Sequence, residues 1–257
     1  MRRTSQENLI VSNVRSSVAL LAATLLVALW ASPAAAETVT ITTPTSIAAG
    51  DSSLDGKDVV VSGSTLTIAG QHTFASLTLS SGAILTHEAG VAQPPVLSAA
   101  TLTIDATSKI DVSGKGRTHL SGASGYVGGS HGGRGGLNAT NETTNAAFGS
   151  IHEPTELGAG GGGGPSGNTS RGGGAIKLTV SGTLQLDGSI LADGNLSVPG
   201  YYRAGGSGGS IWLDVGTLRG AGLVRAQGGD RSFSGYDQYL VAGGGGGRVA
   251  LYYDQLE

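Results

Sequence analysis

Hydrolysis of a polysaccharide needs two carboxylates about 5 to 9.5 Å apart. The sequence offers two spaced acidic pairs, Asp105 with Asp111 and Asp187 with Asp193, and Asp187 with Asp193 is the pair an enzyme would use. Each of these aspartates falls at the junction of an apolar string and a turn, where a carboxylate ordinarily accepts turn N–H groups. A structural role is therefore the expectation for all four. The five histidines, His72, His87, His119, His131 and His152, are never closer than 12 residues, so no H-x-x-H or H-E-x-x-H metal spacing exists. His131 is the most unusual because it lies inside a glycine cluster, and it reads as a solvated loop histidine. The string Gly205-Gly206-Ser207-Gly208-Gly209 satisfies G-x-S-x-G. A nucleophile elbow also needs a helix after the strand, and glycine density alone explains the match. Asp51, Asp55 and Asp58 lack EF-hand or nonapeptide spacing and read as a weak calcium cluster or a solvated cap. With no cysteine, disulfides and thiolate metal sites are excluded. No catalytic residue, metal or cofactor is assigned on this reading.

Aromatic residues carry more information. All seven tyrosines follow residue 125. Tyr201, Tyr202, Tyr236, Tyr239, Tyr252 and Tyr253, with Trp212, flank the glycine runs and are the candidate binding residues. Rings exposed on a rigid β surface stack on sugars or on partner proteins. The other reading has them sealing the fold against its glycine layer.

The elements that must hold these residues follow from composition and periodicity. Of 257 residues 46 are glycine, against about 7% in ordinary proteins. Only 7 are proline and no G-X-Y period exists, so collagen is excluded. Disorder is disfavoured, because 39% of residues are apolar and only 13% are charged. Arg2, Arg3 and Arg15 precede an apolar run over residues 18–30, followed by Ala34-Ala35-Ala36. That is the pattern of a secretory signal peptide, a helical leader over residues 1–36 cleaved after Ala36. The apolar run is shorter than the ~20 residues of a transmembrane helix, so no membrane span is expected after cleavage. What remains is mildly acidic without a basic run, which argues against nucleic acid as a partner. Exported and free of cysteine, it has to be held by repetitive hydrogen bonding and apolar stacking.

Six glycines precede residue 113 and 40 lie between Gly114 and Gly247, dividing the mature chain into residues 37–113 and 114–257. The first part carries short alternating strings: Val39-Thr40-Ile41, Leu66-Thr67-Ile68, Leu77-Thr78-Leu79, Ala83-Ile84-Leu85 and Leu102-Thr103-Ile104. Each predicts a three- to five-residue strand with Thr or Ser outward and aliphatic residues inward. Turn signals separate them, and no apolar pattern after residue 36 has helical spacing. The strings recur in the second part, where Leu184-Gln185-Leu186 followed by Ile190 matches Leu102-Thr103-Ile104 followed by Ile110. Ile176, Ile211 and Val249 begin three copies of a longer repeat, spaced 35 and 38 residues apart. Self-similarity of this kind predicts a stacked all-β solenoid, with a β-sandwich as the alternative. Clusters at residues 128–136, 158–164, 172–174, 205–209 and 243–247 then have three readings: flexible linkers, anion cradles, or polyglycine segments packed backbone to backbone. The third fits best, since each run abuts a patterned strand.

The series Gly-Gly-Ser130-His131-Gly-Gly-Arg134-Gly-Gly, Phe148-Gly149-Ser150, a polyglycine run, Gly-Gly-Gly-Ala175-Ile176, Gly-Gly-Ser210-Ile211-Trp212 and Gly-Gly-Arg248-Val249-Ala250-Leu251-Tyr252-Tyr253 resembles the glycine-rich β-helix module of large secreted or surface-exposed bacterial proteins. The likeness covers residues 101–257, and the strings before it resemble adhesin-type parallel β-helix. The resemblance implies a right-handed parallel β-helix with polyglycine-type loops and an extracellular or cell-envelope location. It also implies a structural or adhesive role, and the tyrosine- and glycine-rich face is the surface on which a glycan or a surface protein is expected as partner. A carbohydrate-active β-helix enzyme, a lyase or hydrolase, is the alternative. Those proteins are often longer, so the chain is also readable as a fragment.

Overall fold

Alternating apolar and hydroxyl residues make strands, and the registers among those strands bring the apolar positions into continuous ladders. The computed structural model describes residues 35–118, 126–137, 142–162, 170–195, 204–230 and 242–257. Residues 1–34 of the expected leader lie outside them. The described residues form thirteen strands: β1 Thr38–Ile41, β2 Thr45–Ile47, β3 Asp58–Ser62, β4 Thr65–Ile68, β5 Gln71–Ser80, β6 Ile84–Thr86, β7 Val96–Ile104, β8 Lys109–Asp111, β9 Ala175–Leu186, β10 Ser189–Leu191, β11 Ser210–Arg219, β12 Leu223–Arg225 and β13 Arg248–Leu256. No helix among the described residues is long and apolar enough to cross a membrane.

Odd-numbered strands form a seven-stranded sheet in the order β1-β3-β5-β7-β9-β11-β13, and even-numbered strands a six-stranded sheet running β2 to β12. All pairings among the described strands are parallel. The protein is therefore all β and parallel, and the antiparallel sandwich is set aside. Parallel neighbours cannot be joined by a tight hairpin, so consecutive strands alternate between the sheets.

Leu and Ile positions stack in register. Val59, Leu77, Leu102, Leu184 and Leu218 face one another along the long sheet. Leu66, Leu85, Ile110, Ile190 and Val224 do the same along the short one. The core between the sheets includes Leu66, Leu79, Leu85, Ile104, Ile110 and Leu184, all fully buried. At ~1.5 to 3 kcal/mol per buried aliphatic side chain, such ladders hold the chain without covalent cross-links.

The internal repeats of the sequence are these registers: Leu184 pairs with Leu102, Ile190 with Ile110, and Ile211 with both Ile176 and Val249. The long-sheet strands are longer than their apolar strings alone suggest, β9 reaching 12 residues. A register irregularity between Val215 and Thr217 in the β9–β11 pair lets two alternating strings run on as one strand. The same strands cross the boundary at residue 113, since β7 pairs with β9, so the two parts of the chain share both sheets.

Corners stack as well. In the turn after β5, Ser81 and Gly82 adopt positive φ. Their N–H groups donate to the Asp105 carboxylate at 2.7 Å and to Thr107 Oγ1 at 2.9 Å, in the turn one layer along. Desolvation works to raise the Asp105 pKa, but hydrogen bonds from Ser108, the Ser81 N–H and Thr107 overcome it and hold the carboxyl well below the usual range.

Candidate functional site

Three long excursions, over residues 112–174, 192–209 and 226–247, leave the short sheet after β8, β10 and β12 and re-enter the long sheet at β9, β11 and β13. Their exits are neighbours and so are their entries, and the described parts of them are hydrogen-bonded side by side. They carry the glycine clusters.

Residues 204–209 run through the middle of this layer. Their N–H groups point in turn to three different neighbours: Ala204 to Gly162 O, Gly205 to Ala242 O and Gly206 to Asn195 O. The cycle then repeats with Ser207 to Ala159 O, Gly208 to Gly245 O and Gly209 to Ala192 O. A three-residue cycle is the period of the extended polyproline-type helix, which has no internal hydrogen bonds and must find its partners outside. The carbonyls look to other neighbours, with Gly129 N–H donating to Gly205 O, Gly229 to Gly206 O and Gly173 to Ser207 O. The segment is thus hydrogen-bonded on every side. A Cβ on Gly206 would be driven into the Arg171 carbonyl, and one on Gly209 into that of Gly174. These glycines are selected for space. The nine described glycines with positive φ lie elsewhere, mostly in turns, Gly70 and Gly82 among them.

Serine and histidine complete the lattice. Ser207 Oγ accepts from Ala159 N–H at 2.8 Å and donates to Ala159 O at 3.2 Å. His131 is fully buried, not solvated as its loop context suggests. Its Nδ1 donates to Gly208 O at 3.0 Å, while Nε2 has no hydrogen-bond partner. Phe148 packs on the ring at 4.8 Å between centroids. Gly149 sits over Nε2: a Cβ there would lie 3.0 Å from Nε2, 3.0 Å from Glu156 Oε2 and 3.4 Å from Arg248 Nε. Arg248 is held by donating to the Phe148 carbonyl at 2.8 Å. Burial is the first cause of the lowered His131 pKa, and the histidine is neutral. Nothing in the spacing of His131 and Glu156 marks them as neighbours.

His87 plays a similar part where the excursions meet the long sheet. Buried, it donates from Nδ1 to Glu88 O at 2.7 Å and accepts Ala175 N–H at Nε2, 3.2 Å away. Burial again lowers its pKa. An unfolded histidine titrates near 6.5, so above that pH both states are neutral and the full stability is present. As pH falls below it the unfolded chain binds protons that folded His87 and His131 resist, and stability declines. Urea unfolding at pH 7 and pH 5 is expected to show this loss. A His87→Gln/His131→Gln variant should lose most of the pH dependence, and an unchanged pH dependence would disprove the assignment.

The predicted acidic pair is built into the scaffold. Asp193 accepts a two-nitrogen contact from Arg225, at 2.9 and 2.7 Å, and the Gln227 N–H at 2.8 Å. Asp187 accepts from Gln185 Nε2 at 2.9 Å, and β10 lies between the two aspartates. Asp111 is bound by Lys109 Nζ at 2.7 Å. The three aspartates near the chain's start are used separately: Asp51 by Ser53 N–H, Asp55 by His72 and Thr73 N–H, and Asp58 by Ser76 Oγ. No group of three or more potential metal ligands occurs among the described residues.

Of the predicted aromatic residues, Tyr201, Tyr202, Tyr236 and Tyr239 lie outside the described residues. Trp212 and Tyr252 are on the outer face of the long sheet, on adjacent strands, with Trp212 beside Ala250 and Tyr252 beside Asp214. Lys177 on β9 places its ammonium 3.5 Å from the Trp212 ring centroid, a cation–π contact. Trp212 Nε1 is buried without a hydrogen-bond partner. Tyr252 is 44% exposed, and its hydroxyl donates to His152 O at 3.0 Å. Tyr253 is its chain neighbour and so points to the opposite face, which divides the two tyrosines between different surfaces. A small apolar cleft is lined by Pro94, Pro95, Val96, Thr155, Ala175, Ile176 and Lys177.

No protein-family model, curated protein or solved structure matches the chain.

Proposed function

We propose that residues 37–257 form a right-handed parallel β-helix that serves, after export and removal of residues 1–36, as a non-catalytic scaffold of adhesin type at the cell surface or outside the cell. The observation carrying this reading is the glycine layer: the most distinctive part of the sequence is spent on hydrogen-bonding segments to one another. A backbone lattice of this kind makes a stiff body that needs no disulfides, which suits an extracellular support. The aspartates an enzyme would use support the same reading, since Asp193 is bound by Arg225 and Gln227.

A glycan or a surface protein is the partner, met on the outer face of the long sheet at Trp212 and Tyr252. Trp212 offers an indole already held in place, and Lys177 would leave its face for an incoming ring. Tests on a panel of plant, bacterial and host polysaccharides should give binding without release of product. A Trp212→Ala/Tyr252→Ala variant is expected to bind at least about 10-fold more weakly, the loss of two stacking contacts. Product formation that disappears in Asp187→Asn/Asp193→Asn would instead establish the enzyme.

A further inference from the structure

Lys177 lies between two different surfaces on the outer face of the long sheet. Register places Val96 of β7 on one side of it and Trp212 of β11 on the other. The three positions form one row, about 9 to 10 Å across at the spacing of neighbouring strands. The Lys177 ammonium rests on the indole and makes no ion pair among the described residues. Asp214, the next outward residue of β11, stands one row along beside Thr179 and leaves it unpaired. The indole N–H of Trp212 is buried without an acceptor. One ring therefore brings together a cation and a neutral donor with no acceptor for either, and the ligand chemistry that fits such a pair is an anion. On the β7 side of Lys177, Pro94, Pro95 and Thr155 line a cleft of about 70 Å³, with Lys177 itself in the wall. It has room for a methyl or acetyl group and none for a second sugar ring.

A sugar that stacks on the indole has to take the place of the ammonium, which gives up its cation–π contact. A neutral sugar offers the displaced ammonium nothing in return. A carboxylated one receives it as a charge-assisted hydrogen bond. We propose that this face binds a sugar residue carrying both a carboxylate and an acetyl group. Its ring lies on Trp212, its carboxylate meets Lys177, and its acetyl methyl enters the cleft of Pro94, Pro95 and Thr155. The proposal rests on the glycan reading given above and adds the class of glycan.

The chain has two tryptophans, Trp30 and Trp212, so in a Trp30→Phe background fluorescence reports on this site alone. Titrations would use N-acetylneuraminic acid, its methyl ester, glucuronic acid and N-acetylglucosamine. N-acetylneuraminic acid is expected to bind about 10-fold more tightly than each of the other three, since each lacks either the carboxylate or the acetyl group. Lys177→Met should bring the acid and its ester to the same affinity with Tm unchanged. Thr155→Tyr, which fills the cleft from its exposed wall, should bring N-acetylneuraminic acid down to glucuronic acid. Polysaccharides bound through Trp212 with no preference for the acid, or a preference that survives Lys177→Met, would overturn the proposal and leave the glycan reading standing. No binding by any of the four sugars or by any polysaccharide would overturn both.

Discussion

Replacing Gly206 by alanine is expected to abolish the native fold, or to cost more than about 4 kcal/mol, which is exceptional for a single methyl group. The new Cβ would meet the Arg171 carbonyl carbon and oxygen, and both are backbone atoms fixed in their own segment. Relief would require a segment to move, and residues 204–209 are bonded to neighbours on every side. Gly209→Ala should behave alike, because its Cβ would strike the Gly173 and Gly174 backbones. Gly246 is the control. It is exposed, and a Cβ there would meet nothing within 4 Å. Gly246→Ala should therefore be neutral or stabilise by about 0.4 to 1 kcal/mol through the unfolded chain. Circular dichroism and thermal melting of the three variants separate these cases. Equal, mild effects at all three positions would mean that the clusters are linkers.

Leu184→Ala carries the second large effect. Leu184 is fully buried on β9, between Leu102 and Leu218 in the longest ladder of the core. Removing three carbons leaves a cavity that β7 and β11 cannot close without breaking register. A loss of about 3 to 5 kcal/mol is expected, lowering Tm by on the order of 10 °C in a protein of this size. Thr101→Ala, at an exposed position on β7, should change stability by less than about 0.5 kcal/mol. Matched losses at the two positions would contradict the placement of the core.

How far the sequence anticipates the molecule depends on which groups carry the specification. Leu102-Thr103-Ile104 and Leu184-Gln185-Leu186 announce both a strand and its partner, because side chains that stack on like side chains leave a repeating string. The stacked turns are legible too, since Gly82 and Asp105 are the residue types such corners require. Glycine runs leave no such record. Nothing in Gly205-Gly206-Ser207-Gly208-Gly209 says that three successive N–H groups reach residues near 160, 195 and 245, because the selection acts on the absence of a side chain.

Histidine is equally silent. His131 carries the same letter in a solvated loop as it does buried against Gly208 and Phe148, and its proximity to Glu156 and Arg248 arises only when the excursions pack. Aromatic clustering in sequence also misleads at Tyr252-Tyr253, where strand alternation sends neighbours to opposite faces. Lys177 over Trp212 is a register effect, visible once β9 and β11 are aligned.

Native-state amide hydrogen exchange of residues 204–209 tests the central claim most directly, that the glycine clusters form a packed backbone lattice. The amides of Gly205, Gly206, Gly208 and Gly209 each donate to a carbonyl in another segment. They should exchange as slowly as core amides such as those of Leu102 and Leu184, opening only with global unfolding. Exchange at unstructured-chain rates, with the β-strand amides still protected, would contradict the account.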